Sequence, residues 1–201
     1  DGQVSAARLH LGNGLGGAGT GSLVISNGLF TTGGYGLYFG ATTGHGALTL
    51  LGGALFHGHD GRAAIEVGSG ANSRGFILIA GGTLIVTNNA DLSLGVRAGS
   101  RGLMTISNGV FNIAGGDLGL GMRANAYGEL NVVGGTNLCD TPLIGTGTST
   151  AGGGTGIVNV CVNGYMASLG GWTQLGNGPG SFGRVTVSDN GRCEIGGYGM
   201  L

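Results

Sequence analysis

The 201-residue sequence is poor in charge, proline and aromatic residues. Charged side chains make up 8% of it, all eight basic residues are arginine, and the net charge is −1. Because no basic stripe is present, we expect no binding to nucleic acid and no polybasic membrane anchor. The apolar runs are far too short to span a bilayer, so membrane insertion is not expected either.

Cysteine is also scarce, and glycine is abundant. Three irregularly spaced cysteines indicate neither a disulfide framework nor a metal site. The 51 glycines do not recur at every third position, and with only two prolines the chain cannot be collagen-like. A hydrophobic content of 41% argues against disorder. Regularly placed Leu, Ile and Val among the glycines predict short strands joined by tight turns.

A glycine followed by two alternating apolar residues recurs seven times at intervals of 25 to 29 residues. The phrase GSLVISNGLF at 21–30, for example, returns as GLMTISNGVF at 102–111. The opening glycines are Gly21, Gly46, Gly75, Gly102, Gly128, Gly156 and Gly183. Apolar alternation with a period of two predicts a strand in each copy, and the fixed interval indicates a repeat architecture.

Two further signals divide each repeat into three strands. An Asn-Gly or Gly-Gly turn follows the first strand, as at 27–28, 108–109, 163–164 and 190–191, because these residues tolerate positive φ. The second strand carries an apolar residue at Phe30, Leu55, Leu84, Phe111, Met166 and Cys193, with Asn137 breaking the series. The third strand ends in a closing glycine at Gly12, Gly40, Gly68, Gly95, Gly121, Gly145 and Gly176.

Antiparallel hairpins would not explain a fixed interval containing three strands, and one repeat alone has too little surface to bury. Parallel stacking at about 4.8 Å per coil solves both problems. We therefore predict a single all-β domain over residues 1–201, a right-handed parallel β-helix of about seven three-strand coils, roughly 34 Å long. The right hand follows from the general crossover preference.

The repeat at 92–110, LSLGVRAGSRGLMTISNGV, resembles the repeat shared by bacterial autotransporter passenger proteins and PEP-CTERM exported proteins. The resemblance covers nearly the whole chain. It implies a secreted or surface-displayed β-helix, often with a role in adhesion or an extracellular matrix. It implies no catalytic residues.

Neither terminus looks like the cap that normally covers a solenoid end. The stretch ARLHLG (7–12) is expected to enter directly at a third strand, and GGYGML (196–201) to stop where a third strand should begin. We therefore predict head-to-tail stacking of copies into an extracellular filament. The predicted subunit interface contains Val4, Leu9, Leu11, Val185, Val187, Cys193, Ile195, Met200 and Leu201. Two alternatives stay open: a segment cut from a longer solenoid, and a surface adhesin that binds glycans or a host or matrix surface.

Candidate chemical sites are few, and we expect no catalytic, cofactor or metal site. The cluster His57-Gly58-His59-Asp60 is best explained as a structural turn, because its spacing is common by chance and no third histidine lies nearby. Asp91 and Asp117 are expected to stack on neighbouring coils, which a glycosidase or a Ca²⁺ site could use. Arg97 with Arg123 and Arg74 with Arg101 are expected to stack likewise. Repeats create such ladders automatically, so a solvated face is the simpler interpretation.

The remaining expectations concern loops, asparagines and cysteines. Loops 13–20 and 146–155 vary most and could bind sugars. The amides of Asn163 and Asn190 could form a ladder. Cys139 and Cys193 are expected to point inward, two coils apart and too distant for a disulfide. Cys161 lies close to a turn and could be partly exposed.

Overall fold

The computed structural model describes residues 2–13, 18–58, 64–113, 115–146, 152–170, 172–196 and 198–200. Within these ranges the chain forms 23 strands and no helix, and so no helix that could cross a membrane. The strands form three parallel sheets that the chain visits in the same order in every coil. The predicted all-β parallel β-helix of about seven three-strand coils is confirmed.

The strands are numbered β1 to β23 in chain order and the sheets are named A, B and C. Sheet A contains β1 (Gln3–Ala6), β4 (Leu29–Thr32), β7 (Ala54–Gly58), β10 (Thr83–Thr87), β13 (Val110–Ile113), β16 (Thr136–Cys139), β19 (Tyr165–Ser168) and β22 (Arg192–Ile195). Sheet B contains β2 (Leu9–Leu11), β5 (Leu37–Phe39), β8 (Ile65–Val67), β11 (Leu92–Leu94), β14 (Asp117–Leu120), β17 (Thr141–Ile144), β20 (Trp172–Leu175) and β23 (Tyr198–Met200). Sheet C contains β3 (Thr20–Ile25), β6 (His45–Leu50), β9 (Arg74–Ile79), β12 (Arg101–Ile106), β15 (Tyr127–Val133), β18 (Thr155–Cys161) and β21 (Phe182–Val187).

The core is a set of apolar columns that run along the coil axis. In sheet C the predicted inward residues stand in register from coil to coil, so that Met104 lies between Ile77 and Leu130. All three are fully buried, as are Leu92, Leu94 and Phe111 from the other two sheets. Each inward side chain therefore packs on its equivalents above and below, which is why one coil cannot form its core alone.

The two glycine signatures meet at one corner, where sheet B turns into sheet C. The closing glycines adopt positive φ, between 63° at Gly145 and 72° at Gly40. The opening glycines lie against them: a Cβ on Gly102 would come within 2.5 Å of the Gly95 nitrogen, and the same conflict recurs in all seven coils. The corner thus needs one glycine for its backbone conformation and a second for the close approach.

The turns between sheets C and A use left-handed residues in most coils. Gly53, Gly82, Gly134, Asn163 and Asn190 have positive φ, as the sequence predicts. The turns at Asn27 and Asn108 are made without positive φ at either asparagine.

Polar side chains interrupt the core at several strand positions, and two of them, Asn137 and His57, are fully buried. Asn137 occupies the inward column between Phe111 and Met166, fully buried, and its Oδ1 atom has no hydrogen-bond partner. The prediction of a turn at His57 is wrong, because His57 lies in β7 and is fully buried. A period-two strand places it inward, where its Nδ1 lies 2.7 Å from the Thr32 hydroxyl.

The predicted strand phase at both ends is also wrong. The first strand is not Leu9–Leu11, because β1 precedes it and pairs with β4 in sheet A. At the other end β23 forms a third strand over Tyr198–Met200 and pairs with β20. Both segments are too short for alternation to identify them. As a result sheets A and B have eight strands each, whereas sheet C has seven.

Candidate functional site

The last coil carries inward-facing apolar side chains that are covered on one side only. Val187 is 48% exposed and Ile195 51%, whereas Val160, the partner of Val187 in the preceding coil, is fully buried. Val185 and Cys193 are half-buried and pack against the core. Among the other residues predicted for this end, Met200 stands in register with Gln174, and Leu201 lies outside the described residues.

The first coil shows the same one-sided cover. Val4 pairs with Phe30 and is 56% exposed, whereas Phe30 is buried. Leu9 and Leu11 are half-buried against the core and pair with Leu37 and Phe39 of the next coil. Val4, Leu9 and Leu11, which were predicted for the interface, thus lie together on one end surface. The surface formed by β21 and β22 lies at the other end of the coil axis.

A groove of about 410 Å³ opens beside this first end. It is lined by Gly2 and Val4 of the first coil and by residues 23–30, which include the apolar side chains of Leu23, Ile25 and Phe30. The groove follows the edge of β3, where sheet C has no strand to match β1 and β2. One extended strand in the groove would pair with that edge and continue sheet C.

The stacked charges predicted from the repeat are present, and a hydrogen bond joins the two aspartates across neighbouring coils. The Asp91 Oδ1 atom accepts a hydrogen bond from the backbone N–H of Asp117 at 3.0 Å, so the Asp91 carboxylate binds the backbone of the next coil. Among the described residues no group of three or more potential metal ligands occurs, and His59 and Asp60 lie outside them.

Both predicted arginine ladders exist. Arg97 and Arg123 line a shallow groove with three alanines, and burial raises the pKa of the nearby Glu66, partly offset by the charge of Arg97. Arg74 and Arg101 are direct partners in β9 and β12.

The cysteines are three free thiols. Burial raises the pKa of Cys139 to about 12, and it raises that of Cys193 as well, with help from the charge of Glu194. Cys161 is half-buried at the end of β18, as predicted. The variable loops lie partly outside the described residues, at 14–17 and 147–151.

The expected amide ladder is formed by other residues. No hydrogen bond joins the side chains of Asn163 and Asn190 in the part of the chain that the structure describes. Instead the Asn159 Nδ2 atom donates to the Asn131 Oδ1 atom at 2.8 Å on the outer face of sheet C. The alignment of the repeats contained this signal, because the two asparagines stand three residues after Gly128 and Gly156.

No family model, curated protein or solved structure matches this chain.

Proposed function

We propose that this chain is a structural subunit that joins further copies head to tail through its end coils and forms an extracellular filament. The observation that carries the proposal is the exposed apolar layer at both end surfaces, with Val4 at one and Val187 and Ile195 at the other. Burying such a layer on another coil is favourable, at about 25 cal/mol per Å² of apolar surface. The repeat's resemblance to exported bacterial proteins supports the extracellular part of the proposal.

The two end surfaces are suited to each other because all coils share one register. In a stacked pair, Val4 of one copy would follow Cys193 of the other in the same inward column of sheet A, and Ala6 would follow Ile195. Strands of both copies would run in the same direction. The contact would therefore join unlike surfaces, and such contacts do not close but propagate.

Sheet C makes this junction weaker than a contact between coils of one chain. Sheet C has seven strands, whereas sheets A and B have eight each. A copy stacked in register therefore leaves one strand position open between β21 of one copy and β3 of the next. The groove beside β3 is part of that position. We therefore expect assembly that is reversible and depends on protein concentration.

The test compares the native chain with charged substitutions in the end layer. Sedimentation velocity and negative-stain microscopy of the native chain should show rods that lengthen with concentration. The variant Val187→Lys/Ile195→Lys should remain monomeric, because stacking would bury the ammonium group at position 195 beneath Ala6 of the next copy, and the one at position 187 would add charge beside the open position in sheet C.

Leu51→Lys is the matched control. Leu51 is 55% exposed and lies in a turn between sheets C and A, one coil in from the first end surface. This variant should assemble like the native chain. A native chain that stays monomeric at high concentration, or a control that dissociates equally, contradicts the proposal.

A further inference from the structure

The outer face of sheet C carries a line of basic side chains along the coil axis. His45, Arg74 and Arg101 occupy the same outward position on three successive strands, and Tyr127 follows on the fourth. All three basic side chains are exposed. Like charges directly opposite each other on neighbouring strands are destabilising, so the two arginines repel each other in the free protein.

No ion pair offsets this repulsion in the part of the chain that the structure describes. Within the described residues Arg192 and Glu194 form an ion pair, but neither Arg74 nor Arg101 forms one. Glu129, the nearest acidic residue of the groove, is occupied by other donors. One of its oxygens accepts from the Tyr127 hydroxyl at 2.5 Å, and the other from the amides of Asn131 and Asn159.

Tyr127 also fixes the position of Arg101. The Arg101 guanidinium lies over the Tyr127 ring, 4.8 Å from its centroid. This contact holds one face of the guanidinium and leaves its edge donors free for an anion. Burial, together with the hydrogen bond to Glu129 and the charge of Glu129, raises the pKa of Tyr127 to about 12, so the ring stays neutral beneath the cation.

A groove runs beside these basic side chains. One part, of about 240 Å³, lies between Arg74, Arg101 and Tyr127 and the side chains of Phe76 and Leu103. An adjoining part, of about 200 Å³, continues past Arg74 and Phe76 to His45 and Thr20. Together they form an open channel across five coils, with His45, Arg74 and Arg101 along one side, apolar side chains beside them and Glu129 in the wall.

We propose that this channel binds a linear acidic polysaccharide. Successive carboxylates would meet Arg74 and Arg101, whose planar donor groups suit carboxylates in a bidentate geometry. The apolar C–H faces of the sugar rings would lie on Phe76 and Leu103. The site is on a side face, and its two arginines lie in β9 and β12 in the middle of sheet C, so it does not depend on filament formation.

The same features disfavour single-stranded nucleic acid. Binding of that kind needs open aromatic faces for base stacking and a positively charged groove. The Tyr127 ring is covered by Arg101, Phe76 is half-buried, and the net charge of the chain is −1.

The experiment measures binding of oligogalacturonate to the native chain and to Arg74→Gln/Arg101→Gln by isothermal titration calorimetry. Loss of two charge-assisted contacts should raise Kd roughly tenfold or more. The variant Arg74→Lys/Arg101→Lys keeps the charge but loses the bidentate geometry, and its Kd should lie between the other two. Circular dichroism verifies the fold of each variant, which the removal of like-charge repulsion should not weaken.

The matched control is Arg97→Gln/Arg123→Gln, which removes the same charge from another two-coil ladder and should leave Kd nearly unchanged. A neutral dextran oligomer should not bind, and oligothymidylate should bind more weakly than oligogalacturonate. Val187→Lys/Ile195→Lys should bind like the native chain, which separates this site from the end surfaces. No measurable binding of oligogalacturonate, an equal loss in the control variant, or tighter binding of oligothymidylate would overturn the proposal.

Discussion

Single residues at the corner between sheets B and C determine how closely successive strands approach. The opening glycine lies against the backbone of the closing glycine and of the preceding coil. For Gly102, an added Cβ would come within 2.4 Å of the Val67 carbonyl oxygen and within 2.7 Å of the Leu94 Cα atom. These neighbours are backbone atoms of paired strands, so they cannot move aside independently.

We expect Gly102→Ala to lower the free energy of unfolding by about 1–3 kcal/mol, the usual cost of overpacking a well-packed site. Urea denaturation followed by circular dichroism measures the change. Gly33→Ala is the control, because a Cβ there would meet only the Gly58 carbonyl oxygen, at 3.5 Å. Its stability should be unchanged or slightly higher, since alanine restricts the unfolded chain. Equal stability of the two variants would show that the corner is less tightly packed than the structure indicates.

Asn137 illustrates a limit of sequence reasoning at the same scale. Its column position followed from the repeat, and the structure places it there. An asparagine at a column position could turn outward or distort the strand, and only the structure shows it inward, with Nδ2 3.8 Å from the Cys139 sulfur and Oδ1 unpartnered. Cys139 in turn is wholly buried, which explains the high pKa of its thiol.

At the scale of strands and coils, the repeat made the middle of the molecule predictable. The inward pairs of sheet C, such as Met104 and Ile106, are those that alternation selects, because a period of two fixes which face a side chain takes. The candidate end surfaces were partly predictable for the same reason. Val4, Val187 and Ile195 continue inward columns, and their exposure follows from cover on one side.

Short strands and cross-coil contacts were not predictable in this way. β1 and β23 contain four and three residues, too few for a pattern to stand out from the surrounding glycines. The Asn159 side chain donates to Glu129 from the next coil, and the two residues are far apart in sequence. The Tyr127 hydroxyl is close to Glu129 in sequence, but its hydrogen bond depends on the side-chain rotamers. The sequence predicted that Arg74 and Arg101 stack. The side-chain geometry was needed to see that Glu129 accepts hydrogen bonds from other donors.

The equivalence of coils gives a prediction at this scale. Deleting residues 102–127 joins Arg101 directly to Gly128, and each sheet loses one strand while the remaining coils keep their order. Since the stability of a solenoid is approximately a sum of coil and neighbour terms, this variant should fold with lower stability. The urea m-value should fall by roughly one seventh, in proportion to the surface buried.

Removing residues 102–114, half as many, provides the control for that deletion. It would bring a sheet B segment into the place of a sheet C strand, and the glycine corner would no longer lie over its equivalents. We expect an unfolded or aggregated product by circular dichroism and gel filtration. If both deletions fold equally well, the order of sheets within a coil does not determine the fold.

At the scale of the whole molecule, the unequal sheets constrain how copies can stack. A rotation by one sheet would let the strand path continue without a gap, but it would place sheet A of one copy over sheet C of the next. The inward columns and the glycine corner differ between those sheets, so the apolar layers would not match. Stacking without rotation keeps every column in register in sheets A and B and leaves one position open in sheet C.

The expected filament therefore has a definite axial repeat. Each copy adds eight strand positions in sheets A and B, which at about 4.8 Å per strand gives a rise of roughly 38 Å with little rotation about the axis. Helical reconstruction from electron micrographs measures both values, and the open position should appear as a gap in one of the three sheets at every junction. A rotation near one third of a turn would mean that continuity of the strand path outweighs the matching of apolar columns. Particles that end at two copies, joined through like surfaces, would contradict head-to-tail stacking, because such a contact closes on itself.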